Sequence, residues 1–221
     1  MIPKKLCEKH LGHMLDTKGH VVNFDDIINS MKVRTNVVKH NFNSISLKSK
    51  AMLFNCQCLS LYGCPIWDLQ DEKYSTLCKT WRICCKQVMN LCNRTSSYLL
   101  PHVMDSLPVD FIVKERMLNF FINGLNHSNQ QISNYFKNCL VSCSSYTLTN
   151  SNIIPKSFDI KYCDISKINK TIIRKKILDK VPPIDWRGNL LKELVNVLDG
   201  ELEINMDYND IKEIQNYVCT L

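Results

Sequence analysis

Four sets of residues carry side chains that could do chemistry. The largest set is cationic. Lys79, Arg82 and Lys86 recur at spacings of three and four, which places them in one row on a helix. Arg94 follows them, and Lys32, Lys39, Lys48 and Lys50 precede them. Such a row can line the phosphates of a nucleic-acid backbone, by contacts that position a duplex without reading its sequence. It is also what an ordinary solvated helix face presents. The second set is twelve cysteines. Cys56-Gln57-Cys58 and the Cys139/Cys143 pair could supply thiolates, but no second Cys/His pair follows at zinc-ligand spacing. Cys58, Cys78, Cys85, Cys92, Cys139 and Cys143 fall instead on apolar helix faces, where a free thiol packs as a small hydrophobe. The third set is Phe24-Asp25-Asp26, two carboxylates behind an aromatic ring, which could hold Mg²⁺ for phosphoryl transfer. They open a helix behind Asn23, so dipole complementation and capping are their expected role. The fourth is His10, His13 and His20, of which His10 and His13 would face opposite sides of a strand. No Gly-rich phosphate loop, G-x-S-x-G elbow or H-E-x-x-H motif is present. No catalytic residue and no metal site is assigned.

The elements that position these residues are mostly helices. Phe24, Ile27, Ile28, Met31, Val38 and Phe42 repeat at helical spacing, opposite Asn29, Lys32, Asn36 and Lys39. Ser46 can cap a second helix, whose stripe is Leu47, Ala51, Phe54, Cys58, Leu61 and Tyr62 and which Gly63 and Pro65 end. A third runs from about Asp71 to Cys92, with Tyr74, Leu77, Cys78, Trp81, Cys85, Val88 and Cys92 inward. Ser106-Leu107-Pro108 opens a fourth, with Val113, Met117, Phe120, Phe121 and Leu125 inward. Ser128 opens a fifth, with Ile132, Phe136, Cys139, Leu140 and Cys143 inward. The polar stretch 144–152 reads as a loop or boundary. Residues 168–180 form a basic helix stopped by Pro182-Pro183, and 190–198 and 210–218 are two more helices. Ahead of them, Leu11–Leu15 and Val21-Val22 read as short strands around an Asp16–Gly19 turn. The expected class is mainly α with a small β piece at the start.

The chain has 221 residues, 45% apolar and 22% charged, which is ample for a packed core. No apolar run is long enough to span a bilayer and the first residues lack a signal-peptide core, so an intracellular chain without disulfides is expected. The formal charge of +7 is unevenly spread. Residues 1–100 hold 14 Lys/Arg against 7 Asp/Glu, whereas residues 188–221 hold 2 against 7. A basic front half suits a polyanionic partner.

Several blocks, in order, resemble the C-terminal part of a non-LTR (LINE-type, CR1/jockey-like) retrotransposon reverse transcriptase. Lys9-His10-Leu11-Gly12-His13-Met14-Leu15 is similar to the primer-grip hairpin. Leu61-Tyr62-Gly63-Cys64-Pro65-Ile66-Trp67 is similar to a Tyr-Gly-x-x-x-Trp block of the helical thumb. Trp81-Arg82 and Asn93-Arg94-Thr95 resemble a thumb helix and the turn after it, and Glu115–Phe121 a helix beyond the thumb. The residues around Cys64 and Asn93 depart from the small or basic ones expected there. The resemblance implies a hairpin ending the palm at 1–22, a helical thumb-like bundle at 23–100, a post-thumb helical pair at 101–150 and a C-terminal helical tail at 151–221. It implies primer-grip residues Leu11 and Gly12, and a thumb framework of Tyr62, Gly63, Trp67 and Trp81. It gives the cationic row a role on an RNA–DNA or DNA duplex backbone, with the upstream palm and fingers as the other partner and no membrane. The catalytic aspartates of the parent enzyme, which uses Mg²⁺, would lie before Met1. The chain alone is therefore expected to need no cofactor and not to polymerise, and to be nuclear and cytoplasmic if part of an active element. The alternatives are a helical protein-interaction module and a non-functional remnant.

Overall fold

The computed structural model describes residues 7–10, 13–16, 24–141, 154–155, 158–160, 165 and 168–181. Among them are seven α-helices: α1 Phe24–Asn41, α2 Leu47–Leu53, α3 Glu72–Val88, α4 Leu100–Val103, α5 Val109–Leu125, α6 Gln130–Val141 and α7 Lys170–Leu178. The mainly α class holds. No described helix is long and apolar enough to cross a membrane. Leu11 and Gly12, the 144–152 stretch and the helices expected at 190–198 and 210–218 lie outside the described residues.

The chain divides into two compact units, each discontinuous in sequence. In the first, the described residues include Phe24, Leu61–Tyr74 and those from Val109 to Val181. Its central element is α5, which buries residues on most of its circumference, among them Val113, Glu115, Met117, Leu118, Phe121, Ile122 and Leu125. A short 3-10 turn, Cys64–Ile66, packs on α5. Gly63 precedes that turn at φ 72°, in the left-handed region that only glycine enters without strain. Trp67 follows the turn fully buried, edge-on to Phe24 at 5.3 Å between ring centroids. Arg116 of α5 donates to Leu61 O at 3.3 Å and closes the same corner. Tyr74 OH donates to Asp110 Oδ1 and Lys114 Nζ to Asp110 Oδ2, both at 2.8 Å.

Helix α6 lies on α5 through an aromatic cluster. The Phe136 ring sits 5.4 Å from Phe120 and 5.5 Å from Phe121, with both rings near edge-on. It reaches that position because Gly124 has no side chain. A Cβ there would meet the Phe136 ring at 2.5 Å. Ser133 Oγ donates to Leu125 O at 2.7 Å and pins the start of α6 to the end of α5.

In the second unit the described residues are Asp25–Ser60 and Ser75–Pro108. Its core joins Ile28, Met31 and Val38 of α1, Ala51 and Phe54 from the α2 region, Leu77, Trp81, Cys85 and Val88 of α3, and Leu99, Leu100 and Met104 around α4. Ser46 caps α2 as its sequence suggests, with Oγ accepting from Ser49 N at 3.1 Å. The end of α3 is a left-handed closure. Asn90 sits at φ 52°, Asn90 N donates to Gln87 O, and Leu91 N donates to Lys86 O at 2.8 Å. Asp105 closes α4 in the same way, with Ser106 N donating to Pro101 O.

The structure departs from the helical stripes at four places. The second helix does not run to Gly63. It passes into a π-turn at Phe54–Cys58 and stops at Leu59, whose ψ of 75° is not helical. Tyr62 thus lies past the helix end and is 59% exposed. Phe42 follows the last residue of α1 and is exposed for the same reason. Phe120 and Ile132 sit at the rim of the α5–α6 contact, half outside it. Helix α4, with Pro101 at its start, is too short to show a periodicity.

Gly124→Ala tests the α5–α6 packing. Alanine favours a helix interior over glycine by about 1 kcal/mol, whereas overpacking a filled contact costs about 1–3 kcal/mol. The substitution should lower Tm in the natural chain and raise it in a Phe136→Leu background, where the ring is gone. Thermal melts of the four variants decide, and a rise in both backgrounds would disprove the close approach.

Candidate nucleic-acid interface

All eight cations singled out in the sequence belong to the second unit. Helix α1 carries Lys32 and Lys39, seven positions apart and so on one flank, where both are exposed along the edge of the buried stripe. Helix α3 carries Lys79, Arg82 and Lys86 along its outer side, where Lys79 is exposed and Arg82 and Lys86 are half-buried. Lys48 is exposed on α2, and Arg94 lies in the turn after α3. The cationic groups of Lys32, Lys39, Lys79, Arg82 and Arg94 meet no carboxylate or carbonyl among the described residues.

Two of the eight are placed otherwise. Lys50 is only 5% exposed, and its Nζ donates to Asn43 O at 2.9 Å, which holds the loop between α1 and α2. Its spacing in the sequence does not distinguish it from Lys48, because that loop carbonyl is what draws it inward. Lys86 Nζ donates to Asn93 O at 2.8 Å and ties down the turn beyond α3. Arg34 was not singled out, since it lies across α1 from Lys32 and Lys39. Its Nη1 donates to Gln57 O at 2.8 Å and secures the π-turn. Helical phase alone separated it from the row.

Of the framework residues, Gly63 and Trp67 form the 3-10 corner of the first unit, with Tyr62 exposed beside it. Trp81 is buried in the second unit. Asp25 and Asp26 lie in the first turn of α1, where their charge complements the helix dipole. No group of three potential metal ligands occurs among the described residues.

Three cysteines of the second unit are enclosed, one in the π-turn after α2 and two on α3. Cys58, Cys84 and Cys85 are buried, and the Thr35 hydroxyl is within hydrogen-bonding reach of the first two. Thr35 itself donates to Met31 O at 2.7 Å. Burial pushes the Cys58 thiol up to about 11 and raises Cys84 and Cys85 as well, because a thiolate there would lose its solvation. In the first unit burial also lifts Cys64 to about 11, against the pull of Arg116. These thiols are protonated at neutral pH and so are poor nucleophiles and poor metal ligands. Cys56, by contrast, is exposed. Cys84, missed in the sequence stripe, completes the cluster from the position next to Cys85.

No protein-family model, curated protein or solved structure matches the chain.

Two measurements check the thiol assignment. Iodoacetamide at pH 7, followed by peptide mapping, should alkylate Cys56 well ahead of Cys58, Cys64, Cys84 and Cys85, and equal rates would contradict the burial. A raised folded pKa means that the protonated form is the one the fold favours. The stability from Cys58 and Cys64 is therefore complete below about pH 9 and diminishes as pH rises towards about 11. Tm should drop between about pH 8.5 and 11, and less steeply in a C58A/C64A chain. An identical drop would refute the linkage.

Proposed function

We propose that this chain is a thumb-like region of a non-LTR retrotransposon reverse transcriptase, and that it holds a template–primer duplex by its phosphate backbone. The observation that carries the reading is the set of cations on two helices of one unit, Lys32 and Lys39 on α1 and Lys79 and Arg82 on α3, with Arg94 in the turn after α3. Lys32, Lys39, Lys79 and Arg94 are exposed, as electrostatic contacts to a polyanion require. Lys50 and Lys86 contribute by fixing the loop after α1 and the turn after α3. No exposed aromatic side chain lies on α3, so the face favours backbone contact over base stacking.

The ordered motif blocks support the same reading. The Tyr62–Trp67 block forms a tight corner on α5, as a structural motif would. The primer-grip hairpin is supported by the antiparallel register of Cys7–His10 on His13–Asp16, which pairs His10 with His13 and Cys7 with Asp16. That register differs from a pairing of Leu11–Leu15 with Val21-Val22. The role assigned to Asp25 and Asp26 is helix capping, so the chain holds a duplex without extending it.

Binding to a labelled RNA–DNA hybrid, measured by anisotropy across a salt series, tests the proposal. Affinity should fall steeply with salt and be alike for unrelated sequences. Replacing Lys79, Arg82 and Lys86 with Ala should weaken binding and flatten the salt slope by roughly 0.7–0.9 for each phosphate that is no longer neutralised. The K79A/R82A pair, which keeps the Lys86–Asn93 bond, should show most of that effect at unchanged Tm. Salt-independent binding, or an unaffected triple variant, would overturn the reading in favour of a protein-interaction module. With Mg²⁺ and a primed template no nucleotide should be incorporated, and incorporation that disappears in Asp25→Asn would overturn the capping assignment.

A further inference from the structure

Helix α7 belongs to the first unit and plays no part in the cationic row described above. Residues 170–180 carry five cations, Lys170, Arg174, Lys175, Lys176 and Lys180, against one acid, Asp179. A helix this basic would be loose if nothing anchored it, but α7 is anchored along its inner side. Ile173 and Ile177 are fully buried there. Asn169 caps its start, with Oδ1 accepting from Ile172 N at 2.9 Å. Lys180 Nζ meets Asp159 Oδ2 at 2.6 Å, and Lys176 Nζ donates to Asp159 O at 3.3 Å. Arg174 lies 3.8 Å from Glu115, a carboxylate buried on α5.

Those contacts divide the five cations. Lys176 and Lys180 are used to dock the helix. Asp159 stays ionised at neutral pH, because the bonded Lys180 holds its carboxyl below the usual range. Lys170 and Lys175 are exposed and meet no acceptor among the described residues. Arg174 touches Glu115 at long range only, and with a side chain 59% exposed it keeps donors free for another anion. We propose that α7 is a second phosphate-contacting surface, through which Lys170, Arg174 and Lys175 hold the backbone of duplex nucleic acid.

Geometry and charge both favour that occupant. The three cations span about 7.5 Å of helix axis at about 1.5 Å per residue, with Lys170 and Arg174 about 40° apart on one flank and Lys175 about 100° further round the exposed side. That reaches two or three phosphates of one strand at an axial spacing of about 3.4 Å. Ile172 and Leu178 are also exposed, but helical phase sets them on either side of Lys175 and Asp179. They do not merge into the continuous apolar stripe that insertion into a lipid surface needs. An anchored cationic helix without an outer apolar stripe fits a polyphosphate backbone better than a bilayer.

The test uses the full chain with a short labelled DNA duplex across a salt series. Lys170→Gln and Lys175→Gln together remove two outward cations and no bond within the described residues. Tm should be unchanged, and the slope of log affinity against log salt should flatten by about 1.8, at about 0.9 per phosphate. Adding Arg174→Gln should flatten it further. The K79A/R82A chain, run alongside, separates this inference from the preceding proposal. A slope that falls in the K170Q/K175Q chain supports the α7 surface whatever the α3 variant does. A slope unmoved by K170Q/K175Q but flattened by K79A/R82A overturns the α7 surface alone. No binding, or a slope moved by neither pair, overturns both. Retention on phosphatidylserine vesicles with no binding to duplex would also overturn it, in favour of a membrane surface.

Discussion

A backbone carbonyl left over where a helix or turn stops must find a donor, and in this chain cationic side chains supply it repeatedly. Arg34 closes on Gln57 O, Lys50 on Asn43 O, Lys86 on Asn93 O, Arg116 on Leu61 O and Lys176 on Asp159 O. Each bond crosses from a helix to an irregular segment that has no ladder of its own. The π-turn after α2, the loop before it, the turn after α3 and the corner at Gly63 all depend on such a bond. At the ends of α3 and α4 a left-handed residue, Asn90 or Asp105, closes the helix as well. The order of the connections thus rests on a particular subset of the lysines and arginines.

That subset determines what remains for a ligand. A cation bonded to a carbonyl at 2.8 or 2.9 Å has committed its best geometry and, in the case of Lys50, has left the surface. The remainder, Lys32, Lys39, Lys79, Arg82 and Arg94 in one unit and Lys170 and Lys175 in the other, add little to stability, since charges near the surface are screened by salt and water. Replacing one of them opens no loop, so under the proposed function binding and fold would be carried by different members of one residue class. Arg174 stands between the two groups, long-range to Glu115 and largely exposed.

Much of the scaffold was legible because it is written in periodicity and capping. The apolar spacing in α1, α3 and α5, the Ser46 cap and the basic helix expected over 168–180 each rest on neighbours within a few residues. What escaped depends on contacts between distant segments. Tyr62 fits the stripe of the second helix, yet Arg34 holds a π-turn across the point where that stripe would continue. Lys50 and Lys48 look alike in sequence, but only one can reach Asn43 O. Helix α4 offers no period to read, and its identity comes from burial of Leu100, Pro101 and Val103. For the candidate interface, residue type and row were readable from spacing, whereas the partition between bonded and outward cations was not. Gly124 likewise reveals its purpose only once Phe136 is placed over it.

The cysteine cluster shows how close the two environments come. Cys84 feels the charge of Lys32 and Cys58 that of Arg34, and both cations favour the thiolate. Burial nevertheless prevails, and the thiols stay neutral beneath a cationic surface. Desolvating a charge in an apolar core costs several kcal/mol, while attraction across a surface of effective dielectric near 20 to 80 returns only about 1 to 4 kcal/mol at contact distance and less beyond it. A thiolate at Cys58 or Cys84 would hold Lys32 or Arg34 as a counter-ion. The neutral thiols hold neither, so Arg34 remains with Gln57 O and Lys32 keeps its charge for water or a ligand. The apolar cysteine core therefore helps keep the outer face positive, which is the electrostatic condition that a phosphate backbone requires.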